Sequence, residues 1–134
     1  MTYYWDMDGV LANFHAAYAI DRAVALKKYA MANLAPFVEN VAIVRNLIAL
    51  GNTCYILTKA ANAEGAEGKV EWLARYIPEM DEEHTIIIIT KGRKVDYIRE
   101  DGFLSDDDEK NTKQWVKGGH KAITLTAKGV TVAL

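Results

Sequence analysis

Cysteine is almost missing from this chain: Cys54 stands alone among 134 residues. That excludes an internal disulfide and a multi-cysteine zinc site, and a lone thiol suits a reducing compartment. Long apolar runs are also missing, since none approaches the ~18 residues of a membrane-spanning helix; no membrane partner is expected. The three histidines, His15, His84 and His120, are scattered without metal-ligand spacing. An excess of one charge is absent too: 16 Lys and Arg face 18 Asp and Glu, a formal charge of −2. Such a balance does not fit a protein dedicated to polymeric nucleic acid, whose backbone calls for a basic face. The opening residues Met1 to Asp6 lack a basic segment followed by an apolar one, so no secretory signal is read there and a cytoplasmic location is expected.

What remains is ordinary globular material, with 51% apolar and 25% charged residues. A chain of this length forms one domain, here residues 1–134, and buries enough surface to hold a core without staples. Strand-like and helix-like segments alternate along it. Thr2–Trp5 is short and β-prone. Residues 11–34 are Ala-rich and helical, with room for a break. Pro36 suits the first turn of a helix in which Val38, Val41, Val44, Leu47 and Ile48 repeat at helical spacing, and Gly51 stops it. Thr53–Leu57 reads as a strand ending at Thr58. The polar stretch Lys59–Gly68 is weakened as a helix by Gly65 and Gly68, and a helical face with Val70, Leu73, Ala74 and Ile77 follows.

Thr85–Thr90 carries an unbroken apolar run, which predicts a strand buried on both faces in the middle of a parallel sheet. A short helix over Lys94–Arg99, a strand over Gly102–Ser105, a helix over Glu109–Val116 and strands over Ala122–Thr126 and Val130–Leu134 complete the chain. The expected fold is α/β: a three-layer, Rossmann-like, mostly parallel sheet with helices on both faces. In such sheets ligands gather beyond the carboxyl ends of the strands. The residues there are Asp6 and Asp8, Thr58 and Lys59, Lys91 to Lys94, and Asp106 to Asp108.

Asp6-Met7-Asp8-Gly9-Val10, directly after the first strand, resembles the DxDG[TV] signature of the haloacid dehalogenase (HAD) superfamily. Three further elements come in that family's order. Tyr55-Ile56-Leu57-Thr58 is similar to a second motif ending in Ser or Thr, Lys94 to the lysine of a third, and Leu104-Ser105-Asp106-Asp107 to a fourth ending in paired acids. Lys91 is the alternative for the lysine; Lys94 is preferred because it opens a short helix. The acidic pair, running on through Asn111 and Trp115, looks most like small 5′(3′)-deoxyribonucleotidase-type members.

The resemblance implies a HAD-like fold in which the helical insert at residues 13–34 is a reduced cap. It implies a magnesium-dependent phosphohydrolase acting on a small phosphomonoester, with nucleotides among the candidates. By resemblance Asp6 is the nucleophile that takes up the phosphoryl group. Asp8 protonates the leaving oxygen and then activates water. Thr58, the Lys59 backbone and Lys94 bind the phosphate. Asp6, the Asp8 carbonyl, Asp106 and Asp107 hold Mg2+. The residue types suit that chemistry: a carboxylate attacks a polyanionic ester only when cations offset the charge.

Three other readings share parts of the pattern. A phosphotransferase or mutase would use the same intermediate, and a non-enzymatic HAD-like binding protein the same fold. A receiver domain has similar residues in a different strand order. Phe14, His15 and Tyr18 are expected either to roof the site or to pack as simple core. Cys54 and the tryptophans Trp5, Trp72 and Trp115 read as core residues.

Overall fold

A computed structural model describes the backbone of residues 1–89, 91–126 and 129–133, and the side chains of residues 1–89 and 91–125. The expected strand ends at Thr90 and Leu134 lie outside the described residues. The strands are β1 (Thr2–Trp5), β2 (Thr53–Lys59), β3 (Thr85–Ile88), β4 (Phe103–Asp106), β5 (Ala122–Thr126) and β6 (Gly129–Ala133). They form one sheet in the order β3-β2-β1-β4-β5-β6. The first five are parallel, and β6 is antiparallel to β5 at the edge. No helix among the described residues is long and apolar enough to cross a membrane.

Period-two alternation gives the sheet a core on each face. Trp5, Cys54 and Ile56 point to one side. There they meet Val41 and Val44 of α4 (Val38–Ala49) and Trp72 and Leu73 of α5 (Ala63–Tyr76). Tyr4, Tyr55, Leu57 and Leu104 point to the other, against Trp115 of α6 (Glu109–Lys117). The architecture is thus α/β and mostly parallel, with helices on both faces.

One expectation is sharpened and two need correction. Residues 11–34, helical with room for a break, divide into three short helices: α1 (Phe14–Ile20), α2 (Arg22–Ala25) and α3 (Lys28–Ala32). The break is chemical: Asp21 is extended, and its carboxylate accepts from the N–H groups of Ala23 and Val24, starting a new helix. Pro36 precedes α4 instead of sitting in its first turn; there the chain returns to its own beginning, with Phe37 N–H donating to the Leu11 carbonyl. Finally, β3 is an edge strand, not a central one. Ile86 and Ile88 are buried, whereas Ile87 is only partly covered and Ile89 is 48% exposed. A run of four isoleucines hides this alternation, because both faces carry the same side chain.

Strand order changes direction at β1, whose neighbours are β2 on one side and β4 on the other. Crossovers therefore leave in opposite senses from this point and open a crevice at the carboxyl ends of β1 and β4. The register pairs Trp5 with Ser105, so Asp6 and Asp106 emerge side by side.

Candidate functional site

The crevice is an open cavity of about 460 Å³ whose wall includes Asp6, Asp8, Lys59, Lys94, Asp106 and Asp107. Asp6 follows β1, and its N–H donates to the Ser105 carbonyl at 2.9 Å, which fixes its backbone to β4. Asp106 closes β4 and is fully buried. Between the two carboxylates lies the ammonium of Lys94, donating to Asp6 Oδ1 and Asp106 Oδ2 at 2.7 Å each. Lys94 opens a 3-10 turn, Lys94–Tyr97, and is 2% exposed. Lys91, the other candidate, is exposed.

Burial is the largest influence on both acids. It pushes Asp6 up to about 6, against the opposing pull of Lys94, with Asp8 adding to the rise. Asp106 is likewise pushed up to about 6 by burial and by the Asp6 charge. Burial alone would lower Lys94, but the Asp6 and Asp106 charges outweigh it and hold the ammonium above its ordinary value. Two buried carboxylates and one buried cation thus share a single polar knot.

The acidic run resolves residue by residue. Asp106 Oδ1 accepts from the Asp108 N–H, and Oδ2 also accepts from Asn111 Nδ2 at 3.2 Å. Asp108 is the N-cap of α6, accepting from the Lys110 N–H. Asp107 lines the cavity beside them, and its Oδ2 lies 2.8 Å from His15 Nε2. Carboxylate oxygens of Asp6, Asp106 and Asp107 all lie within 4.8 Å of one another, a spacing that one metal ion can span. Gly9 makes room for this. Its φ is +80°, a region that disfavours side chains, and a Cβ there would lie 2.1 Å from Asp107 Oδ2.

Asp8 stands on the cavity wall, whereas Thr58 does not. Thr58 is fully buried behind the cavity rather than on its wall. Its Oγ1 accepts from the ammonium of Lys69 at 2.7 Å, and Lys69 also donates to Asp8 Oδ2 at 2.8 Å. Lys69 escapes a reading of the sequence because it looks like a surface charge in the polar opening of α5. The signal it does carry is spacing: it lies three and four residues before Trp72 and Leu73, on the face they bury. Lys59 is exposed at the rim. Phe14 and His15 line the cavity, while Tyr18 packs behind on Phe14, with ring centroids 5.2 Å apart. Cys54 is buried, and burial pushes its thiol up to about 11, which makes it a poor nucleophile.

No protein-family model and no curated protein matches this chain.

Proposed function

We propose that this chain is a magnesium-dependent phosphohydrolase of the HAD type, cleaving a small phosphomonoester through an aspartyl-phosphate on Asp6. One observation carries the reading. At the sheet's switch point, Asp6 is gripped by the buried Lys94 and its oxygens lie within metal-binding distance of Asp106 and Asp107. The sequence resemblance supports it too, since Asp6, Lys94, Asp106 and Asp107 fall in that family's motif order.

The donor set suits Mg2+. Three carboxylates supply hard oxygens, and among the described residues no backbone N–H donates to the Asp8 carbonyl, which leaves that oxygen to a cation. With all three acids ionised and Lys94 charged, the knot carries two excess negative charges, which a dication offsets. Asp6, Asp106, Asp107 and the Asp8 carbonyl would hold it. When bound, the ion supplies charge neutralisation that lets an anionic ester approach a carboxylate.

The protein's own groups do the rest. A carboxylate oxygen of Asp6 forms a bond to phosphorus as the bond to the leaving oxygen breaks. Asp8, two residues away on the cavity wall, gives that oxygen a proton. Asp8 then takes a proton from water as the water oxygen attacks phosphorus, which frees Asp6 and inorganic phosphate. Lys94 steadies Asp6 and balances its charge. Lys59, free at the rim, meets the incoming phosphate as a point charge.

Phosphate release from aryl, sugar and nucleoside monophosphates, with and without Mg2+, tests this. The wild type is expected to turn over only with the metal, and Asp6→Asn to fold normally and turn over nothing. Full activity of Asp6→Asn, or of the wild type in chelator, would refute the reading.

A further inference from the structure

Lys69 is 0% exposed, on the apolar face of α5 that also buries Trp72 and Leu73. Taking an ammonium out of water costs several kcal/mol unless its hydrogens are matched by acceptors. Here two are matched, by Asp8 Oδ2 and Thr58 Oγ1. As a fastener between α5 and the strand ends, an ion pair has no advantage over an apolar side chain of the same length. Both partners, however, lie toward the carboxyl ends of strands: Asp8 after β1 and on the cavity wall, Thr58 buried near the end of β2.

The chemistry of the three groups fixes their polarity. An ammonium is donor only, so both oxygens accept from it. The hydroxyl proton of Thr58 is therefore not spent on Lys69 and remains to be donated. Asp8 is held by one oxygen, and its other, Oδ1, is buried without a hydrogen-bond partner among the described residues. A buried carboxylate oxygen left without a donor is costly, and such atoms call for a functional reason. Lys94 grips the nucleophile and Lys69 the second acid, so the two buried lysines divide the carboxylates between them.

We infer that Lys69 is a positioning residue: by gripping Oδ2 it fixes the orientation in which the Asp8 carboxylate meets the cavity for proton transfer, and it turns Thr58 into an obligate hydrogen-bond donor. This rests on the phosphohydrolase reading and adds to it a residue that acts through Asp8.

The test is a double-mutant cycle on the full chain with Mg2+, using Lys69→Met, Asp8→Asn and the double variant, each checked by thermal unfolding. An aryl phosphate with a good leaving group and an alkyl phosphate serve as substrates. Lys69→Met is expected to lower kcat by about 10–100-fold, the usual effect of losing the outer partner of a site residue. The loss should be greater for the alkyl ester, whose leaving oxygen needs a proton, with KM within about twofold of wild type. The double variant should be no slower than Asp8→Asn, because Lys69 has nothing left to position. Acid quenching should trap more phosphoenzyme in Lys69→Met than in wild type. Should Lys69→Met fail to fold, Lys69→Gln, which keeps a donor without the charge, takes its place in the same cycle. Losses that multiply in the double variant, or a rise in KM at unchanged kcat, overturn the role of Lys69 while leaving the phosphohydrolase intact. A wild type that releases no phosphate from any ester overturns both.

Discussion

Gly68 of α5 and Met31 of α3 are packed so closely that a methyl group on the glycine would lie 2.6 Å from the methionine Cβ. The same methyl group would lie 2.6 Å from the Lys28 carbonyl oxygen. The short insert helices are thus docked on α5 through a glycine face, and the Lys28 ammonium bridges to Glu67 and Glu71 around it.

Gly68→Ala follows from this contact. In an open helix the change would add stability, by about 1 kcal/mol. Here the new methyl meets backbone, which yields little, and overpacking costs about 1–3 kcal/mol. The expected net effect in urea unfolding is destabilisation. A more stable variant would mean that α3 is free to move away from α5.

Lys94→Met removes the only cation in contact with Asp6 and Asp106 among the described residues. Losing one partner of a buried ion pair typically costs about 3–5 kcal/mol. The metal-free variant should lose most at pH 8, where both acids are ionised, and least at pH 5, where protonation relieves them. Added Mg2+ should restore part of the loss. Equal losses at both pH values would show that the acids do not bear on one another through Lys94.

Asp6 and Asp106 make the metal-free protein sensitive to pH. Both titrate near 6 in the fold, against 3.8 unfolded. Between these values the folded state binds more protons than the unfolded one, so their contribution to stability falls as pH rises from about 4 to about 7. On the proposed reading Mg2+ would bind the ionised forms, so a stabilising shift in Tm is expected to be larger at pH 7.5 than at pH 5. Comparing wild type with Asp106→Asn across pH isolates one of the two groups. A metal shift that is larger at pH 5 would sink this account.

Tyr4→Phe probes the tie between β1 and the loop that leads into β4. The Tyr4 hydroxyl is buried, donates to the Glu100 carbonyl at 2.8 Å and accepts from the N–H groups of Arg99 and Glu100. Removing it strands three backbone groups, at about 1–3 kcal/mol. Faster amide exchange at Arg99 and Glu100 is the expected signature. Unchanged exchange there would assign the bonds no weight.

Much of the fold is legible from local pattern. Thr2–Trp5, Thr53–Leu57 and Glu109–Val116 are read within a residue or two, because alternation, helical spacing and glycine stops act over a few neighbours. The preference for Lys94 over Lys91 was readable, since a lysine that opens a helical turn can lean back over the sheet edge, but the contact of Lys94 with Asp6 came from the fold. The break at Asp21 was less readable, since an Ala-rich stretch satisfies helix propensity on either side of it. The edge position of β3 was not, since four isoleucines carry no alternation to read.

The sequence by itself determined that acids would stand at the ends of β1 and β4 and a lysine beside them, because strand ends and motif order are properties of the chain. Only the tertiary structure decided how these groups are joined. It put Asp6 beside Asp106 through the register of β1 with β4, a pairing between residues a hundred positions apart. It hid Thr58 and swung Lys69 from the polar opening of α5 onto Asp8. Charge is read from a sequence as exposure. Whether a lysine is buried depends on what carboxylate waits for it across the fold, and that is settled by packing.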